Sequence, residues 1–254
     1  MKPIEKSRLS AGKETFVQVG ESSLYTKLYG ERTNNPTVIM DAGYGDYSKA
    51  WEPIIPDISK ATQVLVYDRA GLGKSAKSTK STNPRTSIHM VGELKELLTK
   101  LDIKPPYILV GHSFGGVNVR IFAEHFPEDV AGMVLVDTTP EEYRERFLPT
   151  MSEEFQAAYN QQFTHEGNYD EFMKSLNQLK GCNRKLEVPV MVLAAGKKAH
   201  YSKESQELWN AMQRELVDIS TNGELVMAEN SAHYIQNDAP DVVIRAIKRL
   251  LDGR

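Results

Sequence analysis

Hydrophobic and polar positions along the chain follow two periods. Thr15-Phe16-Val17-Gln18-Val19 and Leu24-Tyr25-Thr26-Lys27-Leu28-Tyr29 alternate, which predicts two antiparallel strands joined at Gly20-Glu21-Ser22-Ser23. Compact apolar runs then recur at Thr37–Met40, Gln63–Tyr67, Tyr107–Val110, Met133–Val136, Val188–Leu193 and Glu224–Ala228, each reading as a buried strand. Between these runs apolar residues return every three or four positions. Val91, Leu94, Leu97, Leu98 and Leu101 predict a helix over about 87–101. Further helices are predicted over about 48–60, 117–126, 203–216 and 239–251. The first carries Trp51, Ile54, Ile55 and Ile58 on one side, with Pro53 near its start and Pro56 interrupting it. The last opens near Pro240, with Asp238 as its N-cap.

Strands alternating with helices after a leading hairpin imply a mostly parallel sheet covered on both faces, the α/β class. In such sheets the reactive site lies beyond the carboxyl ends of the strands. Asp41–Gly45, Ser113 and Asp137 all fall at those ends, as does the segment leading to His233. From 140 to 187 the pattern changes: aromatic and charged residues mix at helical spacing and no strand is predicted. This stretch reads as a helical lid over the site rather than as a separate domain.

Composition narrows the partners more than the chemistry. A length of 254 residues fits one α/β domain, and a net charge of −3 without any basic tract argues against nucleic acid. The single cysteine, Cys182, rules out an intramolecular disulfide and fits a reducing compartment. Met1–Gly12 lacks the apolar core of a signal peptide, and no run of 18 apolar residues occurs, so a cytoplasmic protein without a membrane span is expected. The polar stretch Lys74–Arg85 is expected to be mobile surface. Oligomeric state stays open. His, Cys and carboxylate spacings match no common metal site.

The chemistry concentrates at Tyr107-Ile108-Leu109-Val110-Gly111-His112-Ser113-Phe114-Gly115-Gly116. A strand, a Gly-x-Ser-x-Gly turn and a helix-capable run follow one another, the context of a nucleophile elbow. Its tightness requires glycine two residues before and after Ser113 for steric reasons, and the helix start aims free N–H groups at charge developing there. Asp68-Arg69-Ala70-Gly71-Leu72-Gly73 is no nucleotide loop, since it lacks the third glycine and any Walker lysine. It reads as a tight turn whose Asp–Arg pair braces the loops near the site.

Taken together, Asp41-Ala42-Gly43-Tyr44-Gly45, Tyr67–Ser75, Gly111–Gly116 and Ser231-Ala232-His233-Tyr234 resemble the α/β-hydrolase-fold serine hydrolases, in the order serine, acid, histidine. The resemblance covers roughly Thr15 to Leu251. It implies Ser113 as nucleophile and His233, between the last strand and last helix, as general base. His112 flanks the serine but is expected to point away from the site, and His89, His125, His165 and His200 are less well placed. The resemblance often puts the acid after the strand Val188–Leu193, where Ala194–His200 holds no carboxylate. Asp137, at the end of the preceding strand, is the chosen acid, with Glu204 and then Asp218 in reserve. Backbone N–H groups of Tyr44 and Phe114 are implied as the oxyanion hole. The implied activity is cofactor-independent hydrolysis of small or medium carboxylic esters through an acyl-enzyme. Lactone, amide or carbon–carbon hydrolysis, acyl transfer, and ligand binding without turnover are the alternatives. The partner is a small ester-like molecule.

Overall fold

Eight strands form one sheet in the order β1-β2-β4-β3-β5-β6-β7-β8 in the computed structural model, which describes residues 12–76, 84–182 and 184–253. They are β1 (Lys13–Val19), β2 (Ser22–Tyr29), β3 (Thr37–Asp41), β4 (Val64–Tyr67), β5 (Tyr107–His112), β6 (Val130–Val136), β7 (Val190–Ala195) and β8 (Gly223–Ala228). The β1–β2 hairpin joins the sheet antiparallel to β4, and every later pairing is parallel. This is the α/β-hydrolase fold, with the parallel strands buried on both sides. The leader reading at the N-terminus and most of the mobile loop, residues 77–83, lie outside the described residues.

Period-two burial divides each central strand between two apolar layers. Ile39, Leu65, Leu109, Leu135 and Val192 face α2 (Ser87–Lys100) and α3 (Phe114–His125), meeting Met90, Leu94, Leu98, Val117, Ile121 and Phe122. Val38, Val66, Ile108, Val110, Val134 and Leu193 face the other way, against Trp51, Ile54, Ile58 and the last helix. That helix, Pro240–Asp252, buries Val243, Ala246, Ile247, Leu250 and Leu251, a single stripe at helical spacing.

Two helix readings are corrected. The stretch expected as one helix over 48–60 is a 3-10 turn, Ser48–Trp51, followed by a short α1, Ile55–Ile58. Pro53 lacks the N–H a continuous helix needs, while Pro56 is tolerated in the first turn of α1. Asp238 is not the cap of the last helix: it ends a separate turn, Ile235–Asp238, and its carboxylate accepts the Ala232 N–H at 2.9 Å. The acid therefore braces the loop that carries His233.

Between β6 and β7 the chain forms two α-helices, α4 (Glu153–Gln161) and α5 (Tyr169–Lys180). A full capping box starts α5: Asn168 accepts the Glu171 N–H while the Glu171 carboxylate accepts the Asn168 N–H. Phe172, Leu176 and Leu179 are its buried apolar side chains, and it packs on α2 and α3. Then come α6 (Lys203–Glu215), α7 (Ile235–Asp238) and α8 (Pro240–Asp252). Among the described residues no helix is long and apolar enough to cross a membrane.

Candidate active site

β5 delivers Ser113 into the turn that starts α3, at φ 51° and ψ −116°. A non-glycine residue reaches positive φ only where its surroundings enforce it. A Cβ at Gly111 would lie 2.6 Å from Gly115 O and Gly116 Cα, and a Cβ at Gly115 would overlap Asp41 O. Both glycines thus let β5, α3 and the end of β3 close around the serine. Thr138 fixes the turn from β6, its hydroxyl donating to Ser113 O at 2.9 Å.

At the end of β6, Asp137 is fully buried, again at positive φ (43°), and its carboxylate collects four donors. Oδ1 accepts the Trp209 indole N–H at 2.7 Å and the Ala195 N–H at 3.0 Å. Oδ2 faces His233 Nδ1 at 2.6 Å and Lys198 Nζ at 2.6 Å. Burial alone would raise the Asp137 carboxyl, but the Lys198 ammonium and His233 outweigh it and hold the acid well below the usual carboxylate range. The contact with His233 Nδ1 leaves Nε2 as the ring's other polar atom. Ser113 and His233 line the same cavity. Glu204 and Asp218 are exposed on and beside α6 and make no hydrogen bond to His233.

Opposite the elbow, the loop after β3 presents Tyr44. Neither the Tyr44 N–H nor the Phe114 N–H has an acceptor among the described residues. Arg69 shapes this loop. Its Nε and Nη2 reach the two Glu166 oxygens at 2.6 Å each, Nη1 reaches Asp41 and Ala42 O (2.7 Å), and Nη2 also reaches Gly43 O (2.6 Å). All five guanidinium donors are thereby used. With the Ala42 and Gly43 carbonyls turned toward Arg69, the backbone beyond them is held for Tyr44. Glu166, between α4 and α5, also accepts the Gly45 N–H at 2.9 Å, and the Tyr44 hydroxyl donates to Gly167 O at 2.7 Å. The expected Asp68–Arg69 pair takes a different form. Asp68 instead accepts the Ser48 and Lys74 N–H groups, at 2.9 and 2.8 Å.

His112 does not line the cavity. It is buried behind His233, the ring centroids 4.6 Å apart, and its Nε2–H donates to His233 O at 3.0 Å. Burial, with His233 beside it, pushes its pKa well below the ordinary imidazole value, so it stands neutral. Sequence reasoning missed Lys198, Trp209 and Glu166. The only signal for the first was a loop after β7 holding Lys197 and Lys198 where a carboxylate was sought; Trp209 and Glu166 had none.

The cavity measures about 480 Å³, and its apolar walls are mostly aromatic. Tyr143, Phe155, Tyr159, Phe163 and Phe172 come from the segment between β6 and β7, Tyr201 and Trp209 from α6 and the turn before it, and Tyr44 and Phe114 from the loops around Ser113. Lys198 is its one lining lysine, pushed by burial down to about 8, with Asp137 opposing the shift.

A family model described as alpha/beta hydrolase fold matches residues 36–185, more than half of the chain. The uncharacterized protein YqjL of Bacillus subtilis is 35% identical over 213 residues, 83% of this chain and 81% of YqjL. An AB hydrolase superfamily protein of Gibberella zeae is 29% identical over 116 residues, 44% of this chain and 35% of its own length. Among solved structures, Cfl2 from Burkholderia cenocepacia superposes with a TM-score of 0.70 at 18% identity, over 97% of this chain and 98% of that one. A bacterial membrane phospholipase A superposes at 0.67 with 17% identity, over 96% and 86%. At these identities the structures attest the fold alone.

Proposed function

The chain belongs to the α/β-hydrolase fold family, and from that premise we propose that it is a serine hydrolase of carboxylic esters with Ser113 as nucleophile, His233 as general base and Asp137 as the acid. The observation that carries this reading is the 2.6 Å contact of His233 Nδ1 with Asp137 Oδ2 beside a strained serine opening on the same cavity. His233 Nε2 takes the Ser113 proton as Oγ attacks the carbonyl carbon. The carbonyl π electrons move to oxygen, and the Tyr44 and Phe114 N–H groups receive that charge; one such donor contributes about 2.7–4 kcal/mol. Collapse expels the alcohol with the proton from His233. Water, deprotonated by His233, then releases the acid. Residues 140–187 form the lid and, with the aromatic walls, favour an apolar acyl or aryl group.

Two measurements test this. Wild type should be labelled by a fluorophosphonate probe and hydrolyse p-nitrophenyl acetate, whereas Ser113→Ala should do neither. Asp137→Asn should be labelled far more slowly and turn over about 10⁴-fold more slowly, the scale of a triad acid lost with its geometry intact. Full turnover by Ser113→Ala, or an Asp137→Asn rate equal to wild type, sinks the assignment.

A further inference from the structure

Hydrolysis as proposed gives Lys198 no task, yet this buried lysine touches the acid. Nζ lies 2.6 Å from Asp137 Oδ2, the same oxygen that faces His233 Nδ1 at 2.6 Å. The ammonium also sits 3.3 Å from the centre of the Trp209 ring and 3.4 Å from the Tyr201 hydroxyl. Asp137 does not need this lysine for orientation. Trp209 and Ala195 already hold Oδ1, and His233 holds Oδ2. What Lys198 adds is charge. With His233 neutral, the Asp137–Lys198–His233 cluster carries no net charge; with His233 protonated it carries +1. Without the lysine the same two states would carry −1 and 0.

We infer that Lys198 is a positioning residue acting through Asp137: by sharing Oδ2 with His233, its ammonium offsets the carboxylate charge that would otherwise stabilise the imidazolium. The inference rests on the hydrolase reading above. The other groups facing His233 do not supply this charge. His112 is buried and neutral, Tyr234 and Tyr201 are phenols whose titration is raised by burial, and His200 reaches only the cavity wall. Asp46, beside Tyr234, has the opposite sign. Lys198 Nζ and His233 Nδ1 are at most about 5 Å apart, each lying 2.6 Å from one oxygen. Like charges at that separation repel one another appreciably in a partly buried setting, and solvent at half-buried His233 reduces this.

The test compares kcat/KM against pH for wild type, Lys198→Met and Lys198→Arg. The acidic limb should move up by at least about one pH unit in Lys198→Met and return toward wild type in Lys198→Arg, which keeps the cation. Histidine-detected NMR on Ser113→Ala, with and without Lys198→Met, should show the same displacement without turnover. Unaltered wild type supplies a measurement free of folding risk: its His233 resonance should show a second inflection on the alkaline side as Lys198, whose proton burial loosens, becomes neutral. Superimposable limbs and NMR titrations, or the absence of that inflection, overturn the inference. Failure of fluorophosphonate labelling would instead strike the hydrolase reading and leave the NMR result standing.

Discussion

Replacing Arg69 with methionine tests how the loop after β3 is held. The guanidinium is buried, its five donors are occupied, and its partners Asp41 and Glu166 are buried too. Methionine fills much of the volume but leaves two carboxylates and two carbonyls without their cation. Asp41 keeps the Tyr67 hydroxyl (2.9 Å) and Asn118 (3.1 Å), and Glu166 keeps the Gly45 N–H. Breaking a buried pair from one side costs about 3–5 kcal/mol. For a chain of this size that lowers Tm by roughly 6–20 °C, at about 2–4 °C per kcal/mol. The Ala42–Tyr44 backbone loses its anchor at the same time, so kcat should fall about 10²–10³-fold, the effect of a displaced oxyanion donor. Glu166→Gln keeps an acceptor and the shape, and should cost only about 1–3 kcal/mol. Differential scanning calorimetry and p-nitrophenyl ester turnover on the same preparations provide both readouts. If Arg69→Met melts within about 2 °C of wild type, less than 1 kcal/mol at this size, the hub is not holding the loop.

Gly115→Ala should be destabilised by about 1–3 kcal/mol or more and lose activity, because the new Cβ meets the Asp41 and Ala42 carbonyl oxygens at the end of β3, which cannot yield cheaply; thermal melts and turnover check this. His112 should make stability pH-dependent. Its folded-state pKa lies below the unfolded value, so the unfolded chain binds a proton that the native protein does not. Its contribution is therefore complete above pH ~6.5 and declines below it by up to about 1.4 kcal/mol per pH unit. Urea titrations at several pH values should show that slope, and His112→Gln should flatten it whatever its absolute stability. An equal slope in the variant would assign the acid sensitivity elsewhere.

Local pattern was enough for most of the frame. Residues 37–40, 107–110 and 133–136 are apolar without alternation because both faces of their strands are covered, and the helical stripe of α8 reports its single buried side. The elbow was equally legible, since Gly111 and Gly115 are required by contacts within a few residues and with the neighbouring strand end. Where Pro53 divides the 48–60 segment, apolar spacing suggested continuity that the missing N–H denies.

What only the tertiary structure decided is which distant charges meet. Asp137 and His233 are 96 residues apart, and Arg69 and Glu166 are 97 apart. No periodicity encodes such pairings, because a carboxylate at a strand end has the same local signature whether it caps a turn or faces an imidazole. Parallel pairing of β6 with β7 brings Asp137 beside the loop that holds Lys198, and α6 then lays Trp209 against both. The chain's local order defined a serine at a strained turn. The sheet order set Asp137 beside His233, and beside them a lysine that no local pattern connected to either.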